Sequence, residues 1–204
     1  MMLTPSDIEQ PRSPRALREF VLALKDAVRA DDNERHRGML KKDMYKEFLD
    51  EIVPLSCFAV LKYQESCRIL PVLGNQGFDA VVIDESGREI DRIEMTCPGD
   101  GAEKARDARL TVKRGYGTIH MGKPGDDFDA LIPRVLDTCR RKAMRDYTDC
   151  TLVVAIEPLS PFAGFESRYE AQISALAHDL GLIEFKAKRV FLLVLPDKLV
   201  SVHG

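Results

Sequence analysis

Apolar positions recur at helical spacing through the first part of the chain, then give way to short apolar runs of strand composition. Leu17, Phe20, Val21, Leu24 and Val28 share one helical stripe, and Ser13-Pro14 before them has the favoured order of a cap followed by a first-turn proline. Asp31-Asp-Asn-Glu34 ends that helix. Tyr45, Phe48, Leu49 and Ile52 form a second stripe, predicting an amphipathic helix from about Leu40 to Val53 that stops before Pro54. Residues 1–12 are polar and contain proline, the composition of a loose arm. Leu55 to Tyr63 fits either a helix or a strand.

Further along, Cys67–Leu73, Phe78–Ile83 and Arg92–Thr96 have strand composition. Gly74-Asn-Gln-Gly77 is a turn, and Asp84-Glu-Ser-Gly87 is a plausible hairpin connection. Pro98-Gly-Asp-Gly101 marks a loop, Ala102–Val112 a short basic helix, and Gly115–Gly122 a small hairpin insertion. A helix capped by Asp126 or Asp127 runs to about Asp146, with Pro133 in its first turn or at a kink. Thr151–Ile156 and Val190–Leu195 are wholly apolar, as strands covered on both faces are, and a helix from Phe165 to Leu180 stops at Gly181 between them. This order predicts an α/β fold: a mixed central sheet flanked by helices, residues 40–204, preceded by an arm and helix, residues 1–39.

Composition is consistent with that frame. The chain of 204 residues is 45% hydrophobic and 31% charged, enough apolar material for one sizeable core. No apolar run reaches the length of a membrane span and no signal pattern opens the chain, so a cytoplasmic location is expected. Five cysteines, widely spaced and without a Cys-x-x-Cys, read as reduced core residues. The net charge of −3 does not advertise nucleic-acid binding. Basic residues are nevertheless clustered, Lys104, Arg106, Arg109, Lys113 and Arg114 in one stretch and Arg134, Arg140, Arg141, Lys142 and Arg145 in another. Such local fields bind phosphates even on an acidic protein, although solvated helix faces have the same look.

Asp79 and Glu94 carry the sharpest chemical signal, because each carboxylate sits in an apolar run that ought to be buried. Glu94 and Thr96 share one strand face, Ile93 and Met95 the other. A four-residue turn would set Asp79 diagonally beside Glu94 on the same face. A three-residue loop ending in Gly87 would set Asp79 opposite Ile93, on the wrong face unless a bulge corrects it. Converging carboxylates repel until a cation enters, and hard oxygens suit Mg²⁺ or Mn²⁺. The Met95 carbonyl and Glu47 are further candidate ligands.

Helix, hairpin with Asp on one strand and Glu-x-Thr on the next, then helix and strand, resembles the PD-(D/E)XK, or restriction-endonuclease-like, nuclease superfamily over about residues 40–195. The resemblance implies metal-dependent hydrolysis of nucleic acid, with Asp79 and Glu94 as ligands and Glu47 as the helix glutamate of some members. Two positions depart from the family. Phe78 precedes Asp79 in place of proline, and Thr96 stands where the family has a lysine. Thr96 cannot supply the positive charge, so Lys104, Arg141 or Lys142 would have to reach in from an adjoining element. Arg106, Arg109, Lys113, Arg140 and Arg141 would contact the nucleic-acid backbone. The competing reading is an inactive member of the fold that binds nucleic acid or a protein partner, the latter through the helix around Leu17–Val28.

Among other residues, His120 lies in a glycine-flanked segment, while His36, His178 and His203 read as surface or terminal. Asn75 and Gln76 belong first to a turn, Glu157 to a strand end, and Ser56 and Ser160 lack any nucleophile-elbow context. Nucleotide-binding glycine motifs are absent.

Overall fold

The computed structural model describes residues 3–74, 76–98, 101–116, 126–157 and 166–203, with the side chains of 101–104 and 127 left out of the description. Its centre is a six-stranded mixed sheet: β1 (Arg68–Pro71), β2 (Ala80–Ile83), β3 (Glu89–Thr96), β4 (Asp146–Ile156), β5 (Lys186–Val194) and β6 (Lys198–His203), in spatial order β1-β2-β3-β4-β5-β6. β1–β2–β3 is an antiparallel meander; β3, β4 and β5 run parallel, and β6 returns antiparallel to β5. Parallel neighbours need crossovers, which helices supply. Gly101–Arg114 (α6) and Asp126–Ala143 (α7) lie between β3 and β4, and Glu166–Gly181 (α8) between β4 and β5. The architecture is therefore α/β, with a mixed sheet flanked by helices.

Alternation along the central strands divides the core in two. Val153 and Ala155 of β4 and Phe191 and Leu193 of β5 join Ile93 and Met95 of β3 in one apolar cluster. Leu152, Val154 and Ile156, with Val190, Leu192 and Val194, join Phe128, Val135, Ile173 and Leu176 of α7 and α8 in the other. Period-two burial on both faces explains why these runs lack polar interruptions.

The N-terminal elements cover the first face. The helix Pro14–Ala30 (α2) begins as expected, with Ser13 Oγ accepting from Ala16 N. Leu17 and Val21 are fully buried in the same cluster as Ile93, so the helix's apolar stripe lies in the core. Residues 1–12 were expected to be loose. Instead they contain a short helix, Pro5–Ile8 (α1), that buries Ile8 and is followed by an Arg12–Ile69 bridge, because two apolar side chains, Leu3 and Ile8, enter the core and one pair of backbone bonds ties the segment to β1.

Two other expectations are corrected. A further helix, Asp32–Met39 (α3), follows α2 at once, since Asp31 caps it by accepting from Asn33 N and Glu34 N. The second amphipathic segment begins at Tyr45, later than Leu40, and does not stop at Pro54. It runs through Tyr45–Glu47 (α4), a π-helical turn Phe48–Ile52, and Val53–Lys62 (α5), which settles Leu55–Tyr63 as helix. Pro54 lies in the first turn of α5, where a missing N–H costs least. The Asp50 carbonyl, one turn back from a donor that proline lacks, accepts instead from Cys97 Sγ at 2.9 Å. α7 stops at Ala143 with Pro133 inside it, past the first turn, and Asp146 already belongs to β4. β6 had no separate prediction.

Among the described residues, no helix is long and apolar enough to cross a membrane. Four cysteines are buried, as expected of small core residues, and Cys97 is exposed. The proposed insertion at Gly115–Gly122, including His120, lies almost wholly outside the described residues, as do Asn75 and Ser160.

Candidate functional site

The hairpin that carries the two carboxylates is built on the three-residue loop Glu85-Ser-Gly87. Asp84 N donates to the Arg88 carbonyl, Gly87 N to the Asp84 carbonyl, and Gly87 takes a φ of +82°, where a side chain would be strained. That loop alone would put Asp79 opposite Ile93. Two irregularities intervene. The pairing shifts between Val82 and Ile83, leaving Ile90 as an extra residue in β3. Asp79 N donates to the Ile93 carbonyl while Ala80 is itself the partner of Ile93, so two successive residues share one. A bulge of this kind re-aims a side chain. Asp79 is swung along β3 until its Oδ2 accepts from Met95 N at 2.6 Å.

Glu94 and Thr96, with the opposite alternation from Ile93 and Met95, turn towards α7. Lys142, in the last turn of α7, forms a buried ion pair with Glu94; the two side chains are 20% and 11% exposed. Of the three cations offered in place of the motif lysine, the fold brings in Lys142. Arg141 is exposed and pairs with Asp137 on its own helix at 3.2 Å, and the Lys104 side chain lies outside the described residues.

The π-helical turn adds acidity from the other side of the strand end. Burial pushes the Glu51 carboxyl up, helped by the charges of Glu47 and Glu94. Burial, the Glu94 charge and, more weakly, Glu51 push Asp79 up to about 7, against the opposing pull of the Met95 N–H and Lys142. Lys142 is raised despite its burial, because Glu94 accepts its proton and the Tyr147 phenol also favours the charged ammonium. Glu47 Oε2 and Thr96 Oγ1 are buried with no hydrogen-bond partner among the described residues.

These features define what the site can hold. Carboxylates outnumber cations, one carboxylate retains protons near neutrality, and a glutamate oxygen is buried unsatisfied. Such a donor set fits a divalent cation held by one or two carboxylates and otherwise by water. Among the described residues no three histidine, cysteine, aspartate or glutamate side chains converge on one metal-sized point, so Asp79 and Glu94 are the pair to consider. Met95 was expected to lend its carbonyl; what it contributes to Asp79 is its N–H. Thr96 is a buried hydroxyl beside the pair, not a cation.

The remaining candidates separate clearly. Arg106, Arg109 and Lys113 on α6 and Arg140 and Arg141 on α7 are exposed. His36, His178 and His203 are exposed as expected, and so is Glu157. Gln76 Nε2 donates to the Val72 carbonyl at 2.9 Å, closing its turn. Ser56 is fully buried, and its Oγ donates to the Val53 carbonyl at 2.7 Å.

Sequence reasoning missed Asp91 and Tyr147. Asp91, with a side chain 1% exposed, accepts from Tyr63 Oη at 2.7 Å, Thr151 Oγ1 at 2.9 Å and Arg189 Nη2 at 2.5 Å, with Lys188 Nζ at 3.4 Å. The one available signal was Lys188-Arg189 entering an otherwise apolar strand, two cations that needed an acid to bury against. No protein-family model, no curated protein and no solved structure matches the chain.

Proposed function

We propose that this chain is a divergent restriction-endonuclease-like nuclease that hydrolyses phosphodiesters of nucleic acid with the help of Mg²⁺ or Mn²⁺. One observation carries the reading. Lys142, delivered by a helix, stands beside Glu94 and Asp79 where Thr96 leaves the strand without a charge. The order of helix, acidic hairpin, helix and strand agrees with the resemblance drawn from the sequence.

Asp79 and Glu94 would hold the metal; Glu47, the third carboxylate named from the sequence, does not converge with them on one metal-sized point. A divalent ion bound there supplies Lewis-acid stabilisation of a phosphoryl oxygen and lowers the proton affinity of a water molecule. Lys142 is the residue that keeps positive charge at the scissile phosphate once Glu94 turns to the metal. Met95 N–H fixes the Asp79 carboxylate, so one of its oxygens is oriented before anything binds. Arg106, Arg109, Lys113, Arg140 and Arg141 offer exposed cations to the backbone, which makes binding salt-dependent and largely indifferent to base sequence.

The non-catalytic reading rests on a different aspect of the same pair: Lys142 already neutralises Glu94, so part of the site is self-satisfied. One assay separates the two. With labelled single- and double-stranded DNA and RNA, Mn²⁺ and the purified chain, the nuclease cleaves at least one substrate, and Asp79→Asn or Lys142→Ala lowers the rate by about 100-fold or more. Nucleic-acid binding without cleavage by the unaltered chain refutes the hydrolase and leaves the binding subunit.

A further inference from the structure

The side chain that aims Lys142 is not part of the metal motif. Lys142 leaves the end of α7 and, among the described residues, pairs with one carboxylate, Glu94, while a four-carbon stem can point in many directions. Tyr147, at the start of β4 and 5% exposed, closes the other side. The ammonium lies 5.4 Å from the centre of its ring. Tyr147 can do this because β4 is irregular there: its register with β5 shifts between Tyr147 and Thr151, interrupting the alternation that governs the rest of the strand. A break in pairing beside a candidate site, which re-aims a large buried side chain, is the same device that swings Asp79.

We propose that Tyr147 is a positioning residue, an aromatic ring that confines the Lys142 ammonium to the mouth of the Asp79–Glu94 pair. This rests on the nuclease reading above for its catalytic consequence, but not for the confinement itself. A lysine whose carboxylate partner is claimed by a metal would otherwise swing to solvent, and Tyr147 is the group that remains to hold it. The aromatic wall does so without adding a second negative charge.

The test uses Tyr147→Leu in the full chain, which removes the aromatic ring, with two readouts. In Mn²⁺-dependent cleavage, the variant is expected to lower kcat about tenfold while KM stays within about twofold, since a mispositioned group acts in the transition state and not in substrate binding. In parallel, acetylation of Lys142 by an N-hydroxysuccinimide ester, followed by peptide mass spectrometry, should quicken severalfold relative to the unaltered chain. Unchanged acetylation overturns the proposal, and so does quicker acetylation with unchanged kcat in a chain that cleaves. If the unaltered chain fails to cleave, the nuclease reading falls and the acetylation ratio alone decides confinement. Should Tyr147→Leu fail to fold, a ring-fluorinated phenylalanine at that position keeps the shape of the ring while weakening its attraction for a cation. The same ratios then apply, in smaller measure.

Discussion

Asp79 and Asp91 belong to one hairpin, are both withdrawn from solvent, and live under opposite electrostatic conditions. Asp91 is enclosed by Tyr63, Thr151, Lys188 and Arg189, two hydroxyls and two cations for a single carboxylate. Asp79 has one backbone N–H and shares its surroundings with Glu94 and Glu51, with Lys142 the cation that acts on it among the described residues. A fully paired buried acid is a structural fixture, because its charge is satisfied only when β3, β4 and β5 are in register. An acid among acids is unfavourable until something positive arrives, and that is the physical signature of a binding site. Asp91 and Glu94, the acid that presses on Asp79, also lie on different faces of the strand. Asp91 lies on the side of Ile93 and Met95, and Glu94 turns to α7. One strand thus carries a lock and a receptor, separated by its own pleat.

The largest expected effect tests the lock. Asp91→Ala leaves Lys188, Arg189, Tyr63 and Thr151 facing an apolar gap, and should destabilise by about 3–5 kcal/mol in urea unfolding. A loss no greater than that of Asp79→Ala measured alongside would erase the distinction between the two acids.

Asp79 should respond in the opposite direction, and with pH. Its folded-state proton affinity is raised to about 7 from an ordinary 3.8, so the folded chain binds that proton more tightly than the unfolded chain does. The stabilisation is therefore complete below about pH 4 and lost as pH rises through 7. Metal-free, Asp79→Asn should be more stable than the unaltered chain at pH 8, on the order of 2 kcal/mol, with a flatter profile between pH 5 and 8. Mn²⁺ should raise the melting temperature of the unaltered chain at pH 8 and leave that of Asp79→Asn in place. A profile for Asp79→Asn that still falls across this range would assign the dependence to another group.

The smallest effect resolves the lock into its parts. Tyr63→Phe removes one of the donors to Asp91 and keeps the ring that packs edge-on against Phe58, with centroids 5.8 Å apart. A loss of about 1–2 kcal/mol is expected. Near-zero loss would mean that Thr151 and Arg189 satisfy Asp91 without help.

Legibility in the sequence followed how local each determinant is. The apolar runs Thr151–Ile156 and Val190–Leu195, the cap at Ser13 and the hairpin turn all depend on neighbours in the chain, and each was readable. Pro54 misled because its missing hydrogen bond is compensated from Cys97, distant in sequence. The N-terminal arm misled because buried Leu3 and Ile8 and a pair of backbone bonds outweigh a polar composition. In the site, Asp79, Glu94 and Lys142 were all named from the sequence, but with Lys142 as one of three cations that only packing could sort. Tyr147 and Asp91 gave no local sign, since a tyrosine and an aspartate in strand-forming segments are ordinary.

The succession of elements from β2 to β5, the two wholly buried strands and the presence of carboxylates in apolar runs were determined by the chain itself, because periodicity and burial cost act over a few residues. Which oxygens meet was decided in three dimensions. A single-residue slip reverses the face of every side chain in a strand, and here one extra residue in β3, Ile90, undoes the slip that the short loop imposes, while the bulge at Asp79 re-aims its carboxylate. The sorting of cations was likewise tertiary: Arg141 and Lys142 are adjacent in sequence, but on a helix they point in different directions, and only α7's seat against the sheet put Lys142 beside Glu94.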